Sequence, residues 1–233
     1  MLNRNVLLSL VMAGAAASMG CAKPEADSCD IKTGGIYVQY EVEERGATAT
    51  AIAAFWVGDG PEGTYLTFGS CGDSIEVNGE SMQLRSDVDN EVYETDLAAA
   101  DSYDFVFTRQ DEDPYSTVVY TPDPPVISYP AGGESISRAD TFDITWDTGA
   151  GNVELLIEGD CIDDYPNLLG DDVPDSGSHT VAANGIEPDL NDEETSCSVD
   201  LTLTREQSGD VNPELAGEAT GLGVGFVSFT STP

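Results

Sequence analysis

The chain of 233 residues carries 44 Asp+Glu against 8 Lys+Arg, a formal charge of −36 and a pI near 4.1. So few cations cannot assemble a basic face, which excludes a nucleic-acid binder. A hydrophobic share of 40% supports a buried core, and the single histidine, His179, removes most imidazole catalysis and His-rich metal sites.

The chain opens MLNRN and continues with the apolar run VLLSLVMAGAAAS at 6–18. That run has the length of a signal h-region and is too short to span a bilayer. The small residues Ser18, Met19 and Gly20 lead to Cys21. This segment resembles the lipobox of bacterial lipoproteins, with Ser18 where leucine is usual. The resemblance implies a signal peptide at 1–20 and an acylated (palmitate-bearing) Cys21 as the mature N-terminus. Ala22, in place of Asp, then implies the outer membrane of a Gram-negative bacterium. Residues 21–28 are the expected lipid-attached tether, reaching about 25 Å at full extension. The alternative is an ordinary secretory signal cut near Ala17 or Gly20, leaving Cys21 a plain thiol. Either reading exports the chain.

Cysteine parity bears on the choice. An odd number in an exported protein needs an explanation, and assigning Cys21 to the lipid leaves Cys29, Cys71, Cys161 and Cys197.

Beyond the tether no useful helical period appears, whereas period-two alternation recurs. Ile36, Val38, Tyr40 and Val42 share one face, and β-rich runs follow at 48–57 and 64–68. Asn78-Gly79 supplies the two positive-φ positions of a type I′ turn, predicting a hairpin over Ile75–Leu84. Tyr103, Phe105 and Phe107 alternate with Asp104, Val106 and Thr108, before a last run at 116–121. About seven or eight short strands over 29–122 predict an antiparallel sandwich.

TPDPP at 121–125 interrupts the pattern, since proline cannot donate to a ladder. Residues 123–125 read as a stiff linker to a second domain at 126–233. There Phe142, Ile144 and Trp146 alternate, followed by Val153, Leu155, Ile157, then Val199, Leu201, Leu203, and a closing run at 224–229. SYDFVFTR (102–109) aligns with SVDLTLTR (198–205) at the same place in each half. The fold class is therefore all-β, with two tandem antiparallel β-sandwich domains after a signal peptide.

The second half, through PAGG (130–133), FDITW (142–146), VELLI (153–157) and SGSHTV (176–181), resembles bacterial immunoglobulin-like or fibronectin-III-like modules. The resemblance concerns fold far more than function. Trp146 precedes both cysteines of its domain, unlike the antibody pattern. An immunoglobulin-like order puts the end of the third strand beside the start of the sixth. A Cys161–Cys197 bridge there would contribute about 3–4 kcal/mol on the chain-entropy model. Cys29–Cys71 follows by exclusion.

Carboxylates are the one abundant functional group. Asp87, Asp89 and Glu91 form a D-x-D-x-E run without the glycine of an EF-hand loop, and Asp171, Asp172 and Asp175 form a second cluster. These are candidate Ca²⁺ ligands, with a solvated acidic surface as the alternative. So acidic a composition also suits saline water, where charges are strongly screened. No GxSxG elbow accompanies His179, and Trp146 has inward parity. Trp56 beside the 58–63 loop reads as core, or else as an exposed sugar platform. The expected function is non-catalytic adhesion or scaffolding at the cell envelope, with the lipid anchor as the membrane contact. The alternatives are a module binding polysaccharide or Ca²⁺, and a carboxylate hydrolase.

Overall fold

The computed structural model describes residues 25–61, 63–69, 71–86, 91–163, 165, 170–189 and 196–233. Cys21, Asp87 and Asp89 lie outside them.

Among the described residues the first half contributes ten strands. They are β1 (Glu25–Asp27), β2 (Ile36–Arg45), β3 (Thr48–Val57), β4 (Thr64–Thr67), β5 (Ser74–Val77), β6 (Glu80–Ser81), β7 (Gln83–Ser86), β8 (Glu91–Ala98), β9 (Tyr103–Thr108) and β10 (Tyr115–Val119). Alternation sets their faces. Ile36, Val38, Tyr40 and Val42 point into a core shared with Phe55, Tyr103, Phe105 and Phe107. Tyr37 and Trp56, one residue out of phase, form a separate cluster with Ala54 and Tyr65 on the opposite face. Asn78 (φ 50°) and Gly79 (φ 82°) make the tight turn between β5 and β6, which pair through Glu76–Ser81 and Val77–Glu80.

The second half contributes β11 (Ile127–Tyr129), β12 (Ser135–Ser137), β13 (Phe142–Trp146), β14 (Asn152–Gly159), β15 (Asp171–Pro174), β16 (Ser178–Val181), β17 (Cys197–Gly209) and β18 (Ala216–Thr232). Its core gathers Ile144, Trp146, Val153, Leu155, Ile157, Val199, Leu201, Leu203 and Phe229.

The two halves repeat one strand order. In the first, β2-β3-β8-β7 faces β10-β9-β5-β6, with β4 and β1 added beyond β3. In the second, β11-β13-β16 faces β18-β17-β14-β15. This is the order of an immunoglobulin-like sandwich. The aligned octapeptides fall on β9 and β17, each flanked by the last strand of its half and by β5 or β14.

The halves are nevertheless not separate bodies strung on a linker. β18 runs 17 residues. Its second part closes the second sandwich, while Ala216–Gly223 pairs in parallel with Tyr37–Glu44 of β2. One sheet of eleven strands therefore runs through both halves. Val211, Leu215 and Ala219, beyond the 123–125 linker in sequence, pack into the first core. Asn212 donates through its backbone N–H to the Thr117 hydroxyl (3.0 Å) on β10. The β17–β18 hairpin thus fills the side of the first sandwich between β2 and β10.

The expected tether also shortens. Glu25–Asp27 pairs in parallel with Tyr65–Thr67, and Ser28 is fully buried. Asp27 Oδ1 accepts the Cys29 N–H (2.9 Å), and an ideal Cβ on Gly69 would fall 2.0 Å from Asp27 Oδ2. Only residues 22–24 then separate the described fold from Cys21. Ala26 is the sole apolar side chain of β1, too little to mark a strand by pattern.

Candidate functional site

The repeated octapeptides carry the most constrained side chains. In β17, Val199, Leu201 and Leu203 point inward, and period two carries Arg205 inward after them. In β9 the same parity follows Tyr103, Phe105 and Phe107 with Arg109. Both guanidinium groups are buried, Arg205 at 7% and Arg109 at 7% exposure. A buried guanidinium is tolerated only where its N–H groups are paired.

Arg205 meets that condition at the junction of the sandwiches. Nε donates to Asp175 Oδ2 (2.7 Å) and Nη2 to Asp175 Oδ1 (3.3 Å). Nη2 also donates to the Asp147 carbonyl (2.6 Å), and Nη1 to the Asp123 carbonyl (3.0 Å) and Asp147 Oδ2 (3.4 Å). Asp175 Oδ1 accepts the Trp146 indole N–H as well (2.7 Å). Burial pushes the Asp175 carboxyl up, but hydrogen bonds from Arg205 and Trp146, with the Arg205 charge, outweigh it and hold the group below its usual range. The bond to Asp175 raises Arg205 in turn. Gly149 makes room, because a Cβ there would lie 2.0 Å from Asp175 Oδ2.

The linker lies across β18 beside this cluster. Ideal Cβ atoms on Gly221, Gly223 and Gly225 would fall 2.0, 2.2 and 2.0 Å from the carbonyl oxygens of Tyr120, Pro122 and Pro125. The alternate glycines of GLGVGF are thus a track for the linker backbone. Thr121 Oγ1 donates to Glu44 Oε2 (2.7 Å), and the Val126 N–H to Asp147 Oδ1 (2.5 Å).

Arg109 clamps the other end of the first sandwich. Nε donates to Asp73 Oδ2 (3.2 Å), Nη1 to Thr33 Oγ1 (2.7 Å), and Nη2 to the carbonyls of Ser28 (2.7 Å) and Ile31 (2.8 Å). Glu112 accepts from Thr33 (2.6 Å) and from the Tyr115 hydroxyl, which hold its carboxyl below the usual range. An open groove beside this clamp is lined in part by Ile31, Lys32, Cys71 and Asp73.

Two disulfides staple the structure. Cys29–Cys71 ties the entering chain to the segment before β5 (separation 42), and Cys161–Cys197 joins the end of β14 to the start of β17 (separation 36). On the chain-entropy model each contributes about 4 kcal/mol. Cys29 and Cys71 also gather with Asp27, but both sulfurs belong to the disulfide and Asp27 caps Cys29, so the trio is not a ligand set.

Of the carboxylates named as Ca²⁺ candidates, the described side chains of Glu91, Asp172 and Asp175 do not converge. Asp175 faces inward to Arg205, which corrects its reading as a loop ligand: inward parity and an arginine partner outweigh its acidic neighbours. Asp172 is exposed opposite Glu154, and Asp171 sits opposite Leu155 in the β14–β15 register. Glu91 lies in the other half, at the start of β8, where burial, a hydrogen bond that its protonated form donates to Glu25 and the Glu25 charge push its carboxyl up. Trp56 is 3% exposed and Trp146 5%, so neither ring is a surface platform. His179 Nε2 lies 3.3 Å from the Tyr165 hydroxyl.

The arginine clamps escaped the sequence reading, although the signal was present. The octapeptides align through their arginines, and inward parity continued one step further buries both.

No protein-family model matches the chain, and no curated protein matches it. Among solved structures it is similar to the crystal structure of the I9–I11 tandem from titin, at 11% identity and a TM-score of 0.24. That alignment covers 84% of this chain and 65% of the titin chain, so the protein spans just under two thirds of that tandem. It is also similar to the fibronectin(III)-like modules of Clostridium thermocellum CbhA, at 12% identity and a TM-score of 0.24, covering 84% of this chain and 93% of that one. The strand order and the two cores define the class: an all-β protein of two immunoglobulin-like sandwiches sharing one sheet.

Proposed function

We propose that the chain is an exported, lipid-anchored and non-catalytic protein that acts as a scaffold or adhesive spacer at the cell envelope. Two disulfides are those of a protein folded in an oxidising compartment. Among the described residues no helix is long and apolar enough to cross a membrane.

The observation that carries the reading is the placement of the chain ends. Glu25, Tyr65, Trp56, Tyr37 and Ala216 lie in one row across the sheet, at the pole of the first sandwich away from the second. β18 runs from that row to Thr232 at the opposite pole, about 50 Å away at strand rise. Acyl groups on Cys21 would hold one pole within about 10 Å of the membrane surface, given three intervening residues. The second sandwich would then project outward. The junction supports a structural role. Its charged groups are consumed in five hydrogen bonds of Arg205, leaving no N–H of that group for a ligand. Burial of Trp56 removes the sugar platform on which a polysaccharide-binding alternative rested.

Mass spectrometry of the protein recovered from membranes tests the anchor. An N-terminal peptide beginning at an acylated Cys21, with release of the Cys21→Ser variant from membranes, is expected. A mature end elsewhere with an unmodified thiol would overturn the anchor.

A further inference from the structure

A spacer fixed at one end carries tension along its long axis, and the fold contains one element placed to meet it. β2 and β18 are parallel neighbours from opposite ends of the chain. The register pairs eight residues of each, Tyr37–Glu44 with Ala216–Gly223. The N-terminal side of β2 faces the pole where the chain enters. β18 leaves in the same direction and continues to the far pole. Tension between the chain ends therefore pulls the first sandwich, β2 included, one way and β18 the other, parallel to both strands. The ladder hydrogen bonds are then loaded side by side, and the pair gives only when they fail together. Tension opening the pair from one end would break them singly.

Two further features bear on that load. The Cys29–Cys71 bridge joins the incoming chain covalently to the segment leading into β5 and encloses β2 in its loop, so tension arriving there acts on the first sandwich as a body, β2 included. β2 is also paired along its whole length to β3, through Ile36–Val57 to Arg45–Thr48. Gly217 leaves room for the β2 backbone: with φ at 155°, an ideal Cβ there would fall 2.0 Å from the Val38 carbonyl oxygen. Meanwhile Arg205 and the glycines of β18 hold the linker against the sheet, so its residues are not a slack spring between the halves.

We propose that the β2–β18 pair is a shear clamp that makes the two sandwiches bear axial tension as one body. The inference deepens the spacer reading and rests on it for biological meaning, but the mechanical property itself is independent of whether Cys21 carries lipid.

Single-molecule force spectroscopy of the full chain, with disulfides intact, tests it in two geometries. Held at Glu25 and Pro233, the pair is sheared. Held at Glu25 and at Glu214, an exposed position beside Ala216, the same pair opens from its Tyr37–Ala216 end. The expected end-to-end result is one rupture releasing about 40 nm, the length of both sandwiches outside the disulfide loops. Its force should exceed severalfold that of the second geometry, and its rate should follow the unfolding barrier rather than equilibrium stability. Equal forces in the two geometries, or two successive ruptures end to end, would overturn the clamp. Because both arms use the unsubstituted fold, neither result is confounded by misfolding. Failure of the anchor would appear instead in the mass of the N-terminal peptide.

Discussion

The Arg205 guanidinium reaches Asp175 Oδ2 at 2.7 Å with the carboxylate fully enclosed, and the same group reaches the Asp123 carbonyl in the linker at 3.0 Å. One residue of the second sandwich therefore joins its own β15 edge to the chain that enters from the first. Arg109, at the same place in the repeat, instead joins Asp73 to the entering segment at Ser28 and Ile31. Three of the chain's six arginines, Arg109, Arg138 and Arg205, are buried. Scarce cations are thus spent inside the protein, where the buried acids Glu41, Asp73 and Asp175 match them in number, so the net negative charge stays at the surface.

Arg205→Ala leaves Asp175 buried beside the Trp146 indole without its main counter-ion. Removing one partner of a buried pair costs about 3–5 kcal/mol, and the expected loss lies in that range. Pairing it with Asp175→Asn should recover part of the loss, since the uncompensated charge goes too. Urea midpoints of the two single variants and the double variant measure this.

The same pair fixes the sign of an acid effect. Asp175 has a native pKa below its unfolded value of about 3.9. Its contribution is therefore complete above that value and is lost as pH falls through the lower native one. Stability should decline below about pH 4, and the decline should be shallower in Asp175→Asn than in the parent. Equal acid slopes in the two proteins would show that Asp175 does not report on folding.

Gly223→Val places a side chain against the Pro122 carbonyl, where an ideal Cβ already falls at 2.2 Å. Backbone on one side and a paired strand on the other leave no room to yield. A loss of about 3 kcal/mol or more is expected, at the upper end of overpacking costs. Gly132→Ala, whose new Cβ meets only Val227 Cγ2 at 3.9 Å, is the control and should be nearly neutral. Thermal melts of both variants distinguish a specific linker track from general intolerance at glycine.

Much of the fold was legible because alternation reports the face of each residue directly. The inward runs of β9, β13, β14 and β17 and the equivalence of the two octapeptides follow from it, and the Asn78-Gly79 turn follows from the positive φ that those two residues accept. Pairing partners at long range do not. Nothing in Ala216–Gly223 says that its neighbour is Tyr37–Glu44, some 180 residues away, because parallel pairing leaves no local turn to mark it. The glycines of GLGVGF also lower apparent strand propensity, so the closing strand is expected at 224–229 yet runs from Ala216 to Thr232. Their spacing of two was the clue to a backbone crossing. Asp175 was misread because clustering was weighed above parity.

The central claim is that a hairpin of the second half completes the first sandwich, and Leu215 tests it most directly. It lies well beyond the linker in sequence but is 6% exposed in the first core. Leu215→Ala should cost about 2–5 kcal/mol, as buried leucine truncations do. Native-state hydrogen exchange of that variant, read by peptide across β3 and β9, should show the loss of protection in the first sandwich. Unchanged protection there, with loss confined to residues after 126, would contradict the account.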